Sequence, residues 1–144
     1  MTARAEGLLP TDRVWITLTE RAMGAMERAY APYSGFRVGA ALLAADGSVT
    51  EGSNVENAAY PAGICAERAA VAAAVTRGVR SFRAIVIATE ADSPAPPCGM
   101  CRQVLMEFAP ELELLSVTRG GAEARWTMAE LLPHAFTPTS LGRR

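Results

Sequence analysis

The three cysteines of this sequence lie where two helices are predicted to begin. Cys65 precedes an alanine-rich run that ends at Gly78, and Cys98 and Cys101 open a second run that ends before Pro110. The unpaired amides and the dipole of a helix N-terminus stabilise a thiolate, which is the form of cysteine that binds a metal. Because two helix ends can meet, these residues predict three thiolates converging on one metal ion.

Glu67 adds a carboxylate to the first turn of the earlier helix. Three cysteine ligands leave one position of a tetrahedral zinc site open, and a water held there has its pKa lowered to about 7. Cys65 and Glu67 point apart in a regular helix, so they converge only if Cys65 is the capping residue. The sequence therefore predicts a catalytic Zn²⁺ bound by Cys65, Cys98 and Cys101, with Glu67 as general acid and base.

Two structural interpretations use the same residues. A glutamate in a first helical turn is favourable helix electrostatics, and unpaired cysteines are often buried as small apolar side chains. The single histidine, His134, would close the site as a structural Cys₃His centre if it supplied a fourth ligand. We favour the open site, because one metal accounts for all three thiols and His134 lies far along the chain from them.

Composition predicts one globular domain that acts on a small molecule. The chain has 144 residues, of which 50% are hydrophobic and 20% charged, and its net charge is −1. No cluster of basic residues marks a nucleic-acid surface, and no apolar run is long enough for a signal peptide or a membrane span. We expect a cytoplasmic protein with a single domain over 1–144, mobile tails at 1–10 and 137–144, and no disulfide, nucleic-acid partner or membrane contact.

The order of predicted elements is typical of an α/β fold. A first helix is capped at Thr11 or Asp12 and runs to about Tyr30, and a hairpin turn at Asp46-Gly47 joins two strands. The predicted segments are strands at 36–44, 49–53, 83–89, 112–118 and 122–126, a loop at 54–63, and helices at 65–77, 98–108 and 127–132. The strand at 83–89 contains a fully apolar run, 84–88, which is typical of a central strand covered on both faces, and the strand at 112–118 is also predicted to be buried. This order predicts a three-layer α/β/α sandwich around a mixed sheet of about five strands.

Several stretches of the sequence carry a resemblance to one family. CAE at 65–67 with PCGMC at 97–101 matches the Cys₃ form of the zinc nucleobase deaminase signature, whose glutamate is not a ligand. YAPYSGFRVGAAL at 30–42, GSNVENAAY at 52–60, CGMCRQV at 98–104 and LLPHAF at 131–136 closely resemble the small homotetrameric zinc-dependent cytidine deaminases. The resemblance covers about residues 11–136. It implies the cytidine deaminase-like fold, one Zn²⁺ per subunit, and pockets shared between the subunits of a homotetramer.

The resemblance also implies a role for each matching residue. Cys65, Cys98 and Cys101 would bind the zinc, and Glu67 would be the proton shuttle. Arg68 matches an arginine that hydrogen-bonds the ligand thiolates, and its charge would offset their excess negative charge. The residues implied in substrate binding are Phe36 for stacking on the pyrimidine, Asn54 and Glu56 for the ribose hydroxyls, the Ala66 amide for the base carbonyl, and Tyr60 and Phe136 for completing a neighbouring subunit's pocket.

We expect hydrolytic deamination of cytidine and 2′-deoxycytidine to uridine and 2′-deoxyuridine, with release of ammonia, as a step of pyrimidine salvage. Zinc-bound hydroxide would attack C4 while Glu67 transfers the protons. Three alternatives stay open. One is another cytosine nucleoside such as blasticidin S, which the Asn54-to-Asn57 segment disfavours; the second is nucleic-acid editing, which the charge disfavours. The third is a non-enzymatic zinc module, which has no use for Glu67. His134, next but one to Phe136, departs from the family pattern at the expected pocket rim.

Overall fold

A computed structural model describes residues 12–143 and confirms the predicted fold class. The helices are α1 (Arg13–Glu27), α2 (Ala66–Thr76), α3 (Gly99–Phe108) and α4 (Met128–Leu131), and the strands are β1 (Val38–Ala44), β2 (Val49–Ser53), β3 (Phe82–Thr89), β4 (Glu113–Thr118) and β5 (Glu123–Thr127). Asp12 is the N-cap residue of α1. The expected tail at 1–10 and the alternative cap at Thr11 lie outside the described residues.

The five strands form one mixed sheet in the order β2-β1-β3-β4-β5. β1 pairs antiparallel with both β2 and β3, β3 pairs parallel with β4, and β5 returns antiparallel along β4. The parallel pair requires a crossover, which α3 provides. Because α2 precedes β3 and α3 follows it, the N-terminal ends of the two cysteine-bearing helices meet at one end of the central strands.

Helices cover both faces of the sheet, which makes the three layers. Successive residues of a strand point to opposite faces, so the apolar strands β1 and β3 serve two cores. One core places α1 against Ala41, Leu43, Ala84, Val86, Ala88, Leu115 and Val117. The other core places α2, α3 and α4 against Ala40, Leu42, Ala44, Ile85, Ile87 and Leu114. The predicted helix cover on each side is therefore confirmed.

Two glycines let helices approach the sheet more closely than any other residue would. A Cβ on Gly52 in β2 would lie 2.2 Å from the backbone oxygen of Ala66 and 2.6 Å from the backbone nitrogen of Ala70, both in α2. A Cβ on Gly39 in β1 would lie 2.0 Å from the oxygen of Ala22 in α1. Gly52 therefore sets the depth of the first turn of α2, which carries the candidate site.

The structure shortens two of the predicted elements. α1 ends at Glu27 rather than near Tyr30, and β1 begins at Val38 rather than at Phe36. Between them the chain turns at Gly35, whose φ of 68° lies in the left-handed region that glycine adopts most readily. Tyr30 instead forms an isolated bridge with Val55, so tertiary pairing replaces the last helical turn.

The remaining segments complete the outline. The predicted loop contains a 3₁₀ turn at Tyr60–Ala62, and a second 3₁₀ turn, Pro138–Leu141, lies within the segment expected to be a tail. The mobility of that tail and the single-domain boundary stay predictions. Within 12–143, no helix combines the length and the apolar character that a membrane crossing requires.

Candidate metal centre and active site

Three cysteine sulfurs converge between the ends of α2 and α3. The Sγ atoms of Cys65 and Cys98 lie 3.8 Å apart, those of Cys98 and Cys101 lie 3.4 Å apart, and all three are within 4.8 Å of one another. Sulfurs that share a tetrahedral zinc ion at about 2.3 Å are separated by about 3.8 Å. The spacing and the soft donor set therefore fit one zinc ion held by three protein ligands.

Local backbone geometry places two of these sulfurs. Cys65 is the N-cap residue of α2, with φ −76° and ψ 154°, and Cys98 is the N-cap residue of α3, with φ −64° and ψ 166°. Both are extended rather than helical, so their side chains point off the helix ends. Cys101 is fully buried one turn further along α3. The capping arrangement that the spacing of Cys65 and Glu67 required is present.

Side chains from other elements hold the loop that carries Cys98. Arg102 donates from Nε to the Pro97 oxygen at 2.8 Å and from Nη1 to the Leu131 oxygen at 2.9 Å. The buried hydroxyl of Ser116 in β4 donates to the Ala95 oxygen at 2.8 Å. The proline-rich loop is thus fixed to the sheet on one side and to the end of α4 on the other.

Glu67 is buried beside the sulfur cluster, with 5% of its surface exposed. Burial raises the pKa of this carboxyl, and the negative charge of Cys65 acts in the same direction. A buried charge without compensation is expensive, so a carboxylate here is not explained as ordinary surface helix electrostatics. Its position in the first turn, next to a cysteine cap, suits proton transfer at the open side of the cluster.

Arg68 supplies positive charge to the same cluster. Its Nη2 donates to the Cys65 Sγ at 3.7 Å, and its buried Nε has no hydrogen-bond partner among the described residues. A hydrogen bond from Cys101 lowers the pKa of the Cys65 thiol to about 5, and Arg68 contributes to this shift. The same bond and burial raise the pKa of Cys101. A bound zinc ion would deprotonate all three thiols, and Arg68 would then offset part of their charge.

A cavity of about 450 Å³ opens onto the cluster, within the range of small-molecule sites. Glu67, Arg68, Cys65 and Cys98 form part of its wall. The wall also includes the predicted substrate residues Phe36, Asn54, Glu56, Tyr60 and Ala66. The structure therefore brings Glu67, the candidate catalytic residue, and most of the candidate substrate-binding residues to one cavity. The individual roles of these residues stay predictions.

Asn54 and Glu56 already bind the backbone around the start of β1. Asn54 accepts from the Val38 amide at 2.8 Å and donates to the Phe36 oxygen at 2.9 Å. Glu56 accepts from the amides of Tyr33 at 2.9 Å and Ser34 at 3.1 Å, and also from the Ser34 hydroxyl. The two predicted sugar ligands therefore also fix the chain on either side of Phe36.

Two of the predicted substrate residues are open to solvent. Tyr60 is 74% exposed at the cavity rim, where its ring makes an edge contact with Tyr33. Phe136 is 58% exposed and is not part of the cavity wall, although its backbone oxygen accepts a hydrogen bond from Gln103. His134 is exposed and lies outside the sulfur cluster, so the closed Cys₃His centre is not formed.

Some residues of the site were not singled out in the sequence. Ser34 and Thr89 line the cavity, and Arg102 clamps the cysteine loop. Arg102 directly follows Cys101, so its proximity to the cluster was readable from the sequence. The partners of Ser34 are far less evident, because the carboxylate that it contacts lies 22 residues further along the chain.

Comparisons with known proteins agree with this geometry. The family described as "Cytidine and deoxycytidylate deaminase zinc-binding region" matches residues 15–113. The chain is 47% identical over 118 residues to a cytidine deaminase of Sporosarcina psychrophila, covering 81% of this chain and 87% of the relative. It is also similar to the crystal structure of cytidine deaminase from Burkholderia pseudomallei, with 46% identity and a TM-score of 0.82 over 84% of this chain and 98% of that one.

A more distant similarity concerns one of the alternative substrates. A blasticidin-S deaminase of Bacillus cereus is 31% identical over 108 residues, which cover 69% of this chain and 76% of the relative. The fold and the cysteine cluster define a zinc-binding deaminase-type protein. The chain belongs to the cytidine and deoxycytidylate deaminase zinc-binding family.

Proposed function

We propose that this chain is a zinc-dependent hydrolase that converts cytidine and 2′-deoxycytidine to uridine and 2′-deoxyuridine in pyrimidine salvage. The observation that carries the proposal is the buried Glu67 beside three converging cysteines at the wall of a nucleoside-sized cavity. The similarity to cytidine deaminases at 46–47% identity supports the same substrate class. Water supplies the oxygen of the new C4–O bond, and the amino group leaves as ammonia.

Glu67 and Arg68 have different roles in this reaction. When bound, zinc supplies a Lewis acid that lowers the pKa of a coordinated water to about 7. Glu67 takes a proton from the attacking water and transfers it to N3 of the pyrimidine. It then takes the remaining proton from the new C4 hydroxyl and transfers it to the amino group, which leaves as ammonia. Its burial excludes bulk water from these transfers. Arg68, which donates to the Cys65 Sγ, would offset part of the negative charge of the three thiolates that would hold the zinc.

The charge of the cavity supports a nucleoside rather than a nucleotide as substrate. Among the described residues of its wall, the only basic side chain is Arg68, which is directed to Cys65. Glu56 lies in the same wall, and hydrogen bonds from the side chain and backbone of Ser34 lower its pKa, so it stays ionised at neutral pH. A 5′-phosphate would add two negative charges without a cationic partner.

The quaternary structure and compartment are part of the same proposal. We propose a cytoplasmic homotetramer in which Tyr60 and Phe136 complete the pocket of a neighbouring subunit. Their large exposure in the single chain supports this, because exposed aromatic side chains are enriched at interfaces. Phe136 is outside the cavity of its own chain, so it would contact substrate only in the pocket of a neighbouring subunit.

The test is turnover of cytidine, followed by its ultraviolet absorbance, with zinc content measured on the same sample. Glu67→Gln preserves the shape of the side chain but removes its proton-transfer capacity. We expect normal zinc content and a fall in kcat of about 10³-fold or more, because two transfers pass through one carboxylate. Glu107→Gln, an exposed change on α3, is the matched control. Wild-type protein that contains zinc and converts no cytidine would refute the proposal.

A second measurement separates the two substrate classes. Steady-state kcat/KM values for cytidine and for blasticidin S should differ in favour of cytidine, as the higher identity to cytidine deaminases indicates. A preference for blasticidin S would transfer the proposal to that substrate. Removal of zinc from the wild type with a chelator should abolish both activities, and addition of zinc should restore them.

A further inference from the structure

Ser34 connects two of the candidate substrate residues. It lies before β1 in the cavity wall, and its hydroxyl donates to the Oε2 atom of Glu56. The same Oγ accepts a hydrogen bond from the Phe36 amide at 3.0 Å. A hydroxyl has one proton to donate, so while Glu56 holds it, Ser34 cannot donate to a substrate.

The hydrogen bonds to Glu56 also limit what this carboxylate can accept. Its Oε1 accepts from the backbone amides of Tyr33 and Ser34, which uses both lone pairs of that oxygen. Its Oε2 accepts from the Ser34 hydroxyl and keeps one lone pair. Glu56 is thus held in one orientation with a single acceptor position available to a sugar hydroxyl.

We propose that Ser34 is a positioning residue for sugar recognition, which orients the carboxylate of Glu56 to accept one hydrogen bond from a nucleoside hydroxyl. This inference rests on the proposed function, because it requires a substrate with a sugar. Ser34 acts through Glu56 and does not touch the reacting atoms. The loss of its hydroxyl should therefore matter only to substrates whose sugar hydroxyls reach Glu56.

The experiment compares cytidine with 2′,3′-dideoxycytidine, which lacks the ribose 2′ and 3′ hydroxyls. Ser34→Ala should lower kcat/KM for cytidine by about 10-fold to 100-fold, mainly through KM, since a hydrogen bond to a charged group is lost. For dideoxycytidine the change should be under about twofold. Ser34→Thr retains the hydroxyl and should restore most of the activity toward cytidine. A merely structural defect would lower kcat/KM equally for both substrates.

A double-mutant cycle with Glu56→Gln tests the route of the effect. In the Glu56→Gln background, Ser34→Ala should change kcat/KM for cytidine by less than about twofold, because the two residues act as a unit. Ser48→Ala is the matched control, since it removes a hydroxyl that donates to the Asp46 carboxylate at 2.6 Å in the hairpin turn. It should leave both substrates unaffected.

The outcomes separate this inference from the proposed function. Equal losses for the two substrates, or additive effects of Ser34→Ala and Glu56→Gln, would refute the positioning role while the deaminase function stands. A wild-type enzyme that converts neither nucleoside would overturn both. A loss confined to cytidine, together with the non-additive cycle, would support the inference.

Discussion

Replacing Gly52 with alanine should weaken zinc binding through the packing of α2. The new Cβ would lie 2.2 Å from the Ala66 oxygen, where an ordinary contact is at least 3.4 Å, so the backbone of α2 must move by about 1 Å. The two nearest atoms, the Ala66 oxygen and the Ala70 nitrogen, belong to the backbone, so no flexible side chain can move to relieve the clash. Ala66 directly follows the Cys65 cap and precedes Glu67, so the displacement falls on the site itself.

The expected magnitude follows from overpacking and from the tolerance of metal sites. Overpacking costs about 1–3 kcal/mol, which corresponds to a fall in Tm of about 3–12 °C for a domain of this size. Zinc sites tolerate deviations of only about 0.2 Å in ligand distance, so zinc affinity should fall by about tenfold or more. Competition with a chromophoric chelator measures the affinity, and calorimetry measures Tm.

Two other glycine-to-alanine changes serve as controls. Gly39→Ala brings a Cβ to 2.0 Å from the Ala22 oxygen on the opposite face of the sheet, so it should lower Tm with less effect on zinc affinity. Gly24→Ala in α1 meets only a side-chain atom at 3.8 Å and should raise stability by about 0.4–1 kcal/mol. If Gly52→Ala bound zinc as tightly as Gly39→Ala does, the proposed link between the close approach of α2 and the cluster would be wrong.

Two further predictions concern the ends of the strands and the assembly. A hydrogen bond from Arg37 lowers the pKa of Glu90 to about 2, so Glu90 stabilises the fold above its ordinary pKa of 4.5 and loses this contribution as the pH falls toward 2. Glu90→Gln should therefore be less stable than wild type at pH 6, and urea unfolding should show the difference shrinking between pH 4.5 and 2; a constant difference would contradict this. Sedimentation equilibrium of the wild type should give four times the mass of one chain. A monomer that is active at nanomolar concentration would show that the pocket does not need Tyr60 and Phe136 of a neighbouring subunit.

The helix ends and apolar strands were predictable because their signals are local. A cysteine cap followed by an alanine-rich run defines the start of α2, and the apolar run at 84–88 of β3 requires cover on both faces. These local rules were enough to predict the three-layer fold. The bounds of α1 and β1 were less accurate, because contacts of Tyr30 and Glu56 with residues distant in sequence decide where the intervening segment leaves regular structure.

The sequence by itself determined that three thiols lie at two helix ends and that a glutamate follows one of them. Only the tertiary structure decided the geometry with which these ends meet, because the strand order β2-β1-β3-β4 places α2 and α3 side by side on one face of the sheet. It also placed the Ser34 hydroxyl against the Glu56 carboxylate. It placed Gly52 against the backbone of α2, where the absence of a Cβ sets how closely that helix approaches the sheet. Such relations depend on distances between segments far apart along the chain, and residue types and spacing carry no record of them.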